Sequence, residues 1–247
     1  MCYNKNNLNF QENINLTFRK FFDLNFLVII DFIFPKRCII CNKKISFSWI
    51  CKNCLREIEF IKLIECDRCG SPFYDRCLCN SLSENIQQVR SLFIYDNVAK
   101  ELIHKWKYSQ IYFIKELFEK YLIKNNYFQN FDGVMAVPLH WLKKVLRGFN
   151  QAYELSKIIS DYFKIKNYSN HVKRKKYSKA QMLIENYENR KENVKGIFKI
   201  LKPLECKNLL LVDDIITSCS TVNELAEELR NSNFEGNISV FTLGLAL

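Results

Sequence analysis

Glycine and proline are scarce in this chain of 247 residues, at 6 and 4, where ordinary usage would give about 30 together. Few positions can therefore take a positive φ without a side chain in the way. Long hydrophobic runs are missing too. The most apolar stretch, residues 24–34, is broken by Asp31 and is too short to span a bilayer. Its flanks lack a strongly basic start and a small-residue cleavage site, so no signal peptide is read. These absences disfavour integral-membrane and secreted classes, and the expected location is cytoplasmic. An apolar content of 48% supplies a sizeable core and disfavours disorder.

Positive charge and cysteine are in excess. Lys and Arg number 37 against 26 Asp and Glu, a net charge of +11, which favours anionic partners. The charge is clustered in residues 36–62 and again in 171–195. A solvated basic surface is the plainest account of either cluster. Of 11 cysteines, eight fall between Cys38 and Cys79, as Cys38-x2-Cys41, Cys51-x2-Cys54, Cys66-x2-Cys69 and Cys77-x-Cys79. A C-x-x-C pair places two thiolates on one turn, half of a tetrahedral shell, so two pairs close a structural Zn²⁺ site. Gly70, directly after Cys69, suits a turn that needs positive φ. A disulfide framework would need an oxidising compartment, which nothing supports. Sequential pairing groups Cys38, Cys41, Cys51 and Cys54, then Cys66, Cys69, Cys77 and Cys79; crossed pairing is the alternative. Four thiolates leave no coordination position open for chemistry, so the metal would staple the fold. A basic ribbon of this kind serves nucleic-acid contact or protein docking, and the sequence does not choose.

Three segments are expected: an apolar lead-in over 1–34, the cysteine block over 35–82, and an α/β domain over 85–247. In the last, Val89–Tyr95 reads as a strand. Ala99, Leu102, Ile103 and Trp106 share a helix face, as do Ile114, Leu117, Phe118, Tyr121 and Leu122. Gly133–Leu139 reads as a buried strand. Residues 149–163 read as a helix with Ala152, Leu155, Ile159 and Tyr162 on one side. Residues 171–195 read as a long loop or hairpin. A strand over Lys207–Val212 is expected to stop at Asp213–Asp214. A helix carrying Val222, Leu225, Ala226 and Leu229 follows, then a strand over Asn237–Leu245. Strands alternating with helices predict a mostly parallel α/β sheet.

The most informative stretch runs from Leu209 to Thr221. An apolar strand delivers Asp213 and Asp214 to its carboxyl end, the position where open α/β sheets bind ligands. Thr217, Ser218, Ser220 and Thr221 then precede a helix, whose free N–H groups and dipole attract an anion. Carboxylates suit sugar hydroxyls and the turn suits a phosphate, so a ribose phosphate fits the pair. Two simpler readings stand beside this one: a strand–turn–helix closed by a Thr221/Glu224 capping box, and a carboxylate pair for a metal.

Val212-Asp-Asp-Ile-Ile-Thr-Ser-Cys-Ser-Thr221 resembles the ribose-phosphate signature of type I phosphoribosyltransferases. The wider order resembles the ComF family, which joins an N-terminal zinc ribbon to such a domain. The matching pieces are Phe34-Pro35-x-x-Cys38-x2-Cys41, Leu102-Ile103-x4-Lys107-Tyr108, Val137-Pro138-Leu139-His140, and Arg147-Gly148-Phe149-Asn150-Gln151. Gln181, Arg190, Asn193, Val194 and Phe198 resemble the family's mobile loop.

The resemblance implies a glycosyltransferase-class protein of natural competence and DNA transformation, handling single-stranded DNA, with a competence helicase as a further partner. It implies phosphoribosyl pyrophosphate or a related sugar phosphate as ligand. Asp213 and Asp214 would hold the ribose hydroxyls, and Thr217, Ser218, Cys219, Ser220 and Thr221 would cradle the 5′-phosphate. Val137, Pro138, Leu139 and His140 would meet the pyrophosphate, together with Arg147 and Lys143 or Lys144. Mg²⁺ would bind through substrate oxygens, and residues 171–195 would cover the site. A non-catalytic phosphate sensor or a helicase-docking protein is the alternative. Cys219 stands where the transferases usually carry glycine, and Met182 replaces the family's glycine after the loop glutamine. His104 and His171 read as surface or half-buried residues, Trp106 as core, and Cys2 and Cys206 as free thiols. The Lys173–Lys176 run, with Tyr168 and Tyr177 nearby, would suit a nucleic-acid backbone.

Overall fold

The computed structural model describes residues 36–46, 48–107, 126–139, 145, 148–175 and 196–247. The lead-in over 1–34, the second helical pattern at 114–122, His140, Lys143, Lys144, Arg147 and residues 176–195 lie outside the described residues. The chain divides into two compact units, Met1–Leu55 and Arg56–Leu247.

In the first unit, Arg37 and Lys44 pair in an antiparallel bridge. Cys38 N–H donates to the Lys43 carbonyl at 2.8 Å and Asn42 N–H to the Cys38 carbonyl at 2.8 Å. Asn42 takes φ 61°, which asparagine tolerates better than most residues. This tight turn carries the first C-x-x-C, and the short helix α1, Lys52–Arg56, carries Cys54.

The second unit holds a five-stranded parallel sheet. Its strands are β1 (Gln88–Ile94), β2 (Gly133–Ala136), β3 (Lys166–Asn167), β6 (Asn208–Ile216) and β7 (Asn237–Leu245), in the order β1-β7-β6-β2-β3. A separate antiparallel pair joins β4 (Val172–Arg174) to β5 (Phe198–Ile200), so the 171–195 segment is described only at its stem, which is a hairpin. Helix α2 spans Asn97–Trp106, α3 Gln151–Phe163 and α4 Ser220–Asn231. Asp96 starts α2 by accepting from Ala99 N–H at 3.1 Å, and Asn150 starts α3 by accepting from Ala152 N–H at 3.2 Å. Both are side-chain N-caps, each satisfying one of the free first-turn donors.

Both faces of the sheet are covered, which is why β6 and β7 read as nearly unbroken apolar runs. On one face Met135, Leu209, Leu211, Ile238 and Val240 pack with Val222, Leu225, Ala226 and Leu229 of α4. On the other, α3 lies on β2, β3 and β6, and Phe128 stacks near Phe163 and Phe241, each with ring centroids 5.2 Å apart. The α/β expectation holds, and the α2 face of Ala99, Leu102, Ile103 and Trp106 is buried as read.

Two local expectations fail. Tyr162 is 51% exposed; the last turn of α3 carries it off the buried stripe. The strand does not stop at the acids. Its ladder with β7 continues through Asp213↔Thr242 to Ile216↔Leu245, so backbone pairing overrides the polar side chains. Among the described residues, no helix is long and apolar enough to cross a membrane.

Candidate functional site

Sheet order fixes where the candidate residues meet. From β2 the chain crosses through α3 to β3 at one edge; from β6 it crosses through α4 to β7 in the opposite direction. The adjacent carboxyl ends of β2 and β6 therefore form a switch point, the crevice where parallel sheets bind ligands. Ala136 pairs with Val212, and Val137 N–H donates to the Val212 carbonyl at 2.8 Å. The Val137–Leu139 loop thus starts beside Asp213. Asn150 Nδ2 donates to the Val137 carbonyl at 3.2 Å, tying that loop to the start of α3. Val137 is buried, while Pro138 and Leu139 are half-buried.

Asp213 Oδ1 accepts from Asp214 N–H, and Asp214 Oδ1 from Ile215 N–H, both at 2.8 Å. Burial, reinforced by the Asp214 charge, pushes the Asp213 carboxyl well above the ordinary carboxylate range; Arg174 acts in the opposite sense. Lys107 Nζ lies 3.6 Å from Asp214 Oδ2, with the two side chains only 15% and 20% exposed. Burial and the Asp214 charge also raise the Tyr95 phenol.

Thr217 and Ser218 are exposed, and Ser218 Oγ and Ser220 Oγ lie 3.0 Å apart. Cys219 caps α4 at φ 59° and ψ −9°, with no side-chain hydrogen bond to the helix. The left-handed cap leaves the first-turn N–H groups to be met from outside the helix. The Cys219 side chain is buried in the core with Leu82, Ile216 and Val222, so its thiol does not fill the exposed side of the turn. Burial, with a smaller effect from Cys69, pushes that thiol up to about 11. The Thr221/Glu224 capping box does not form, because Thr221 already lies inside α4. Glu224 instead accepts from Gly196 N–H at the hairpin stem. Burial raises its carboxyl, partly opposed by the Gly196 N–H.

The structure thus brings Val137–Leu139 and Asp213–Thr221 to adjacent strand ends. Lys107 and Arg174 were not read from the sequence as site residues. Lys107 had a signal as the end of a family-like helix; Arg174 had only its place in a basic run.

The cysteines form two tetrads, Cys38/Cys41/Cys51/Cys54 and Cys66/Cys69/Cys77/Cys79, each with its sulfurs within 4.8 Å of one another. Sequential pairing is therefore the one observed, and the crossed alternative falls. Cys41 and Cys51 Sγ are 3.6 Å apart, Cys66 and Cys79 3.4 Å, and Cys69 and Cys77 3.3 Å. A disulfide needs about 2.05 Å, whereas a Zn²⁺ with sulfur at about 2.3 Å gives edges near 3.8 Å. Cys51 N–H donates to Cys38 Sγ at 3.3 Å and Cys69 N–H to Cys66 Sγ at 3.5 Å. Burial opposes ionisation at Cys38 and Cys66, but such donors bring each thiol down to about 6. Burial and the neighbouring sulfurs push Cys54 and Cys79 up. Four such sulfurs ionise together only around a cation. Both tetrads fit structural zinc.

A double zinc ribbon domain model matches residues 29–83. Competence protein F of Haemophilus influenzae is 28% identical over 229 residues, 86% of this chain and 98% of that protein. DNA utilization protein YhgH of Escherichia coli K12 is 27% identical over 208 residues, 79% of this chain and 91% of that protein. Competence protein ComFC of Bacillus subtilis is 23% identical over 238 residues, 83% of this chain and 93% of that protein.

Over most of its length the chain resembles the ComF family. These similarities span 79–86% of the chain, well beyond the cysteine block alone.

Proposed function

We propose that this ComF-like protein binds phosphoribosyl pyrophosphate or a related sugar phosphate and acts in competence and DNA utilization, on single-stranded DNA. The observation that carries the ligand reading is the switch point. Two adjacent carboxylates lie on β6 and a hydroxyl-rich, left-handed helix cap follows it, beside the Val137–Leu139 loop that follows β2. In this reading Asp213 and Asp214 accept hydrogen bonds from the ribose hydroxyls. N–H groups and hydroxyls of 217–221 donate to the 5′-phosphate. Val137–His140 and Arg147 face the diphosphate, and Lys107 balances the acid pair. Mg²⁺, carried in on the substrate oxygens, would neutralise diphosphate charge; in a transferase this stabilises the leaving group.

The DNA reading is supported by the relatives' names and by the hairpin stem. Lys173 and Lys199 are exposed and lie directly opposite each other, an arrangement that repels unless an anion lies across it. Neutralising phosphates would release counterions and make binding salt-dependent.

Calorimetry with phosphoribosyl pyrophosphate and Mg²⁺, on the wild type and on the paired Asp213→Ala/Asp214→Ala variant, tests the ligand reading. Wild-type binding weakened at least about tenfold in the variant, or by ~1.4 kcal/mol, is the expected result. Undetectable binding in both overturns it. Diphosphate release with an added acceptor makes the protein an enzyme; binding without release across a panel of acceptors makes it a sensor. DNA affinity that survives the double substitution places DNA away from the acid pair.

A further inference from the structure

The second cysteine tetrad is joined to the start of α4 by one side chain. Asn223 lies in the first turn of α4, where its N–H donates to the Cys219 carbonyl at 2.9 Å. Its Oδ1 accepts from Ser83 N–H at 2.9 Å, and its Nδ2 donates to the Ser81 carbonyl at 2.7 Å. Both amide ends are thus used on the short segment that follows Cys79. That segment is itself tied to the tetrad. Leu82 N–H donates to the Cys79 carbonyl at 3.2 Å. The Arg68 guanidinium, from between Cys66 and Cys69, donates to the Leu82 and Ser83 carbonyls at 3.3 and 3.0 Å. The Arg68 backbone carbonyl in turn accepts from Val89 N–H of β1 at 2.7 Å. Leu82 closes the arrangement by packing in the same buried cluster as Cys219 and Val222.

We propose that Asn223 is a positioning residue that makes the second tetrad part of the scaffold of the 217–221 turn, so that a tetrahedral metal ion in that tetrad orders the anion-binding cap of α4. The metal fixes Cys79 relative to Cys66 and Cys69. Arg68 and the 79–83 segment then hold one rigid edge, and Asn223 transmits that edge to the turn. None of these hydrogen bonds involves the first tetrad, so metal bound by Cys38, Cys41, Cys51 and Cys54 does not carry this effect. The ligand consequence rests on the proposed sugar-phosphate reading; the ordering consequence does not.

Hydrogen–deuterium exchange of the full zinc-loaded chain tests the proposal. Each of the two amide hydrogen bonds is worth about a factor of five, so Asn223→Ala should speed exchange across 217–222 by about twenty-five-fold. Exchange in β6 and β7, and zinc content, should stay unchanged. Asn223→Asp keeps the acceptor for Ser83 N–H and should restore part of the protection. Cys77→Ser in the second tetrad should reproduce the Asn223→Ala pattern, and Cys41→Ser in the first should not. Phosphoribosyl pyrophosphate with Mg²⁺ should bind Asn223→Ala at least about tenfold more weakly. Unchanged exchange at 217–222 in Asn223→Ala overturns the proposal, as does equal loss in Cys41→Ser and Cys77→Ser. Faster exchange in Asn223→Ala, together with no ligand binding by the wild type, upholds the scaffold and overturns only the sugar-phosphate reading.

Discussion

Lys107 and Asp214 offer the sharpest probe of the acid pair. At 3.6 Å, with side chains 15% and 20% exposed, the gross attraction is about 5 kcal/mol at an effective dielectric constant of ~20. Desolvation and side-chain ordering remove most of this, leaving a net coupling of about 1–2 kcal/mol. Lys107→Met should therefore cost about 2 kcal/mol in the wild type, because it leaves two adjacent carboxyls without their cation. Asp214→Asn alone should cost little, since it also relieves the charge that raises Asp213. In the Asp214→Asn background, Lys107→Met should cost less than about 0.5 kcal/mol. Urea unfolding of the four proteins at pH 7, in low and high salt, measures the cycle. Low exposure predicts a coupling that changes little with salt. An equal cost for Lys107→Met in both backgrounds would refute the pairing as an energetic unit.

The second tetrad and the acid pair make further measurable demands. Gly70 sits at φ 69°, and an added Cβ would lie 2.6 Å from the Val89 carbonyl oxygen. Gly70→Ala should lower the unfolding free energy by roughly 3 kcal/mol, combining left-handed strain with a backbone clash; a loss under about 1 kcal/mol in urea unfolding would mean the knuckle can slide off β1. Asp213 and Glu224 both have raised carboxyls, so the folded state holds their protons more tightly than the unfolded chain. Their contribution to stability is present below the ordinary Asp value of 3.8 and is lost as pH rises through the raised folded values. Asp213→Asn should thus raise the melting temperature at pH 7 by about 2–4 °C. The gain should vanish near pH 3.5, below the ordinary Asp value of 3.8, where both proteins are neutral at that position. Calorimetric scans giving the same gain at both pH values would contradict the burial argument.

Where spacing alone dictates geometry, the sequence was legible. Two thiols on one turn gave both tetrads, and the i, i+3, i+4, i+7 stripe gave α2 and α4. The Asp213–Asp214 pair was also visible, but not its setting. Polar residues read as the end of a strand, and only the partner strand β7 carries β6 on to Ile216. Capping was misread for a similar reason. Thr221 and Glu224 have the right spacing for a box, yet the chain enters α4 two residues earlier, through the left-handed Cys219. That frees Glu224 to hold the hairpin stem. Lys107 and Asn223 act across 107 and about 140 positions of sequence, respectively. No local period encodes such pairs; they exist only once the sheet order has brought their elements together.

The scarcity of glycine bears directly on the phosphate-binding question. Among the described residues, Asn42, Ser48, Lys164, Cys219 and Asn233 take positive φ, alongside Gly70, Gly148 and Gly196. The fold therefore keeps left-handed turns where it needs them and accepts side chains at several. At Asn42 and Asn233 the residue type itself tolerates the conformation. At Cys219 it does not, and left-handed strain of about 1–2 kcal/mol is expected. Two features offset that strain: the thiol is buried in the core, and Asn223, one turn on, clamps the helix from outside. A glycine would relieve the strain but would lose more conformational entropy on folding. The turn keeps its left-handed backbone without the glycine, with the cysteine side chain turned inward. Cys219 on its own is therefore no argument against anion binding, and the weight of that question moves to the acid pair and its cation.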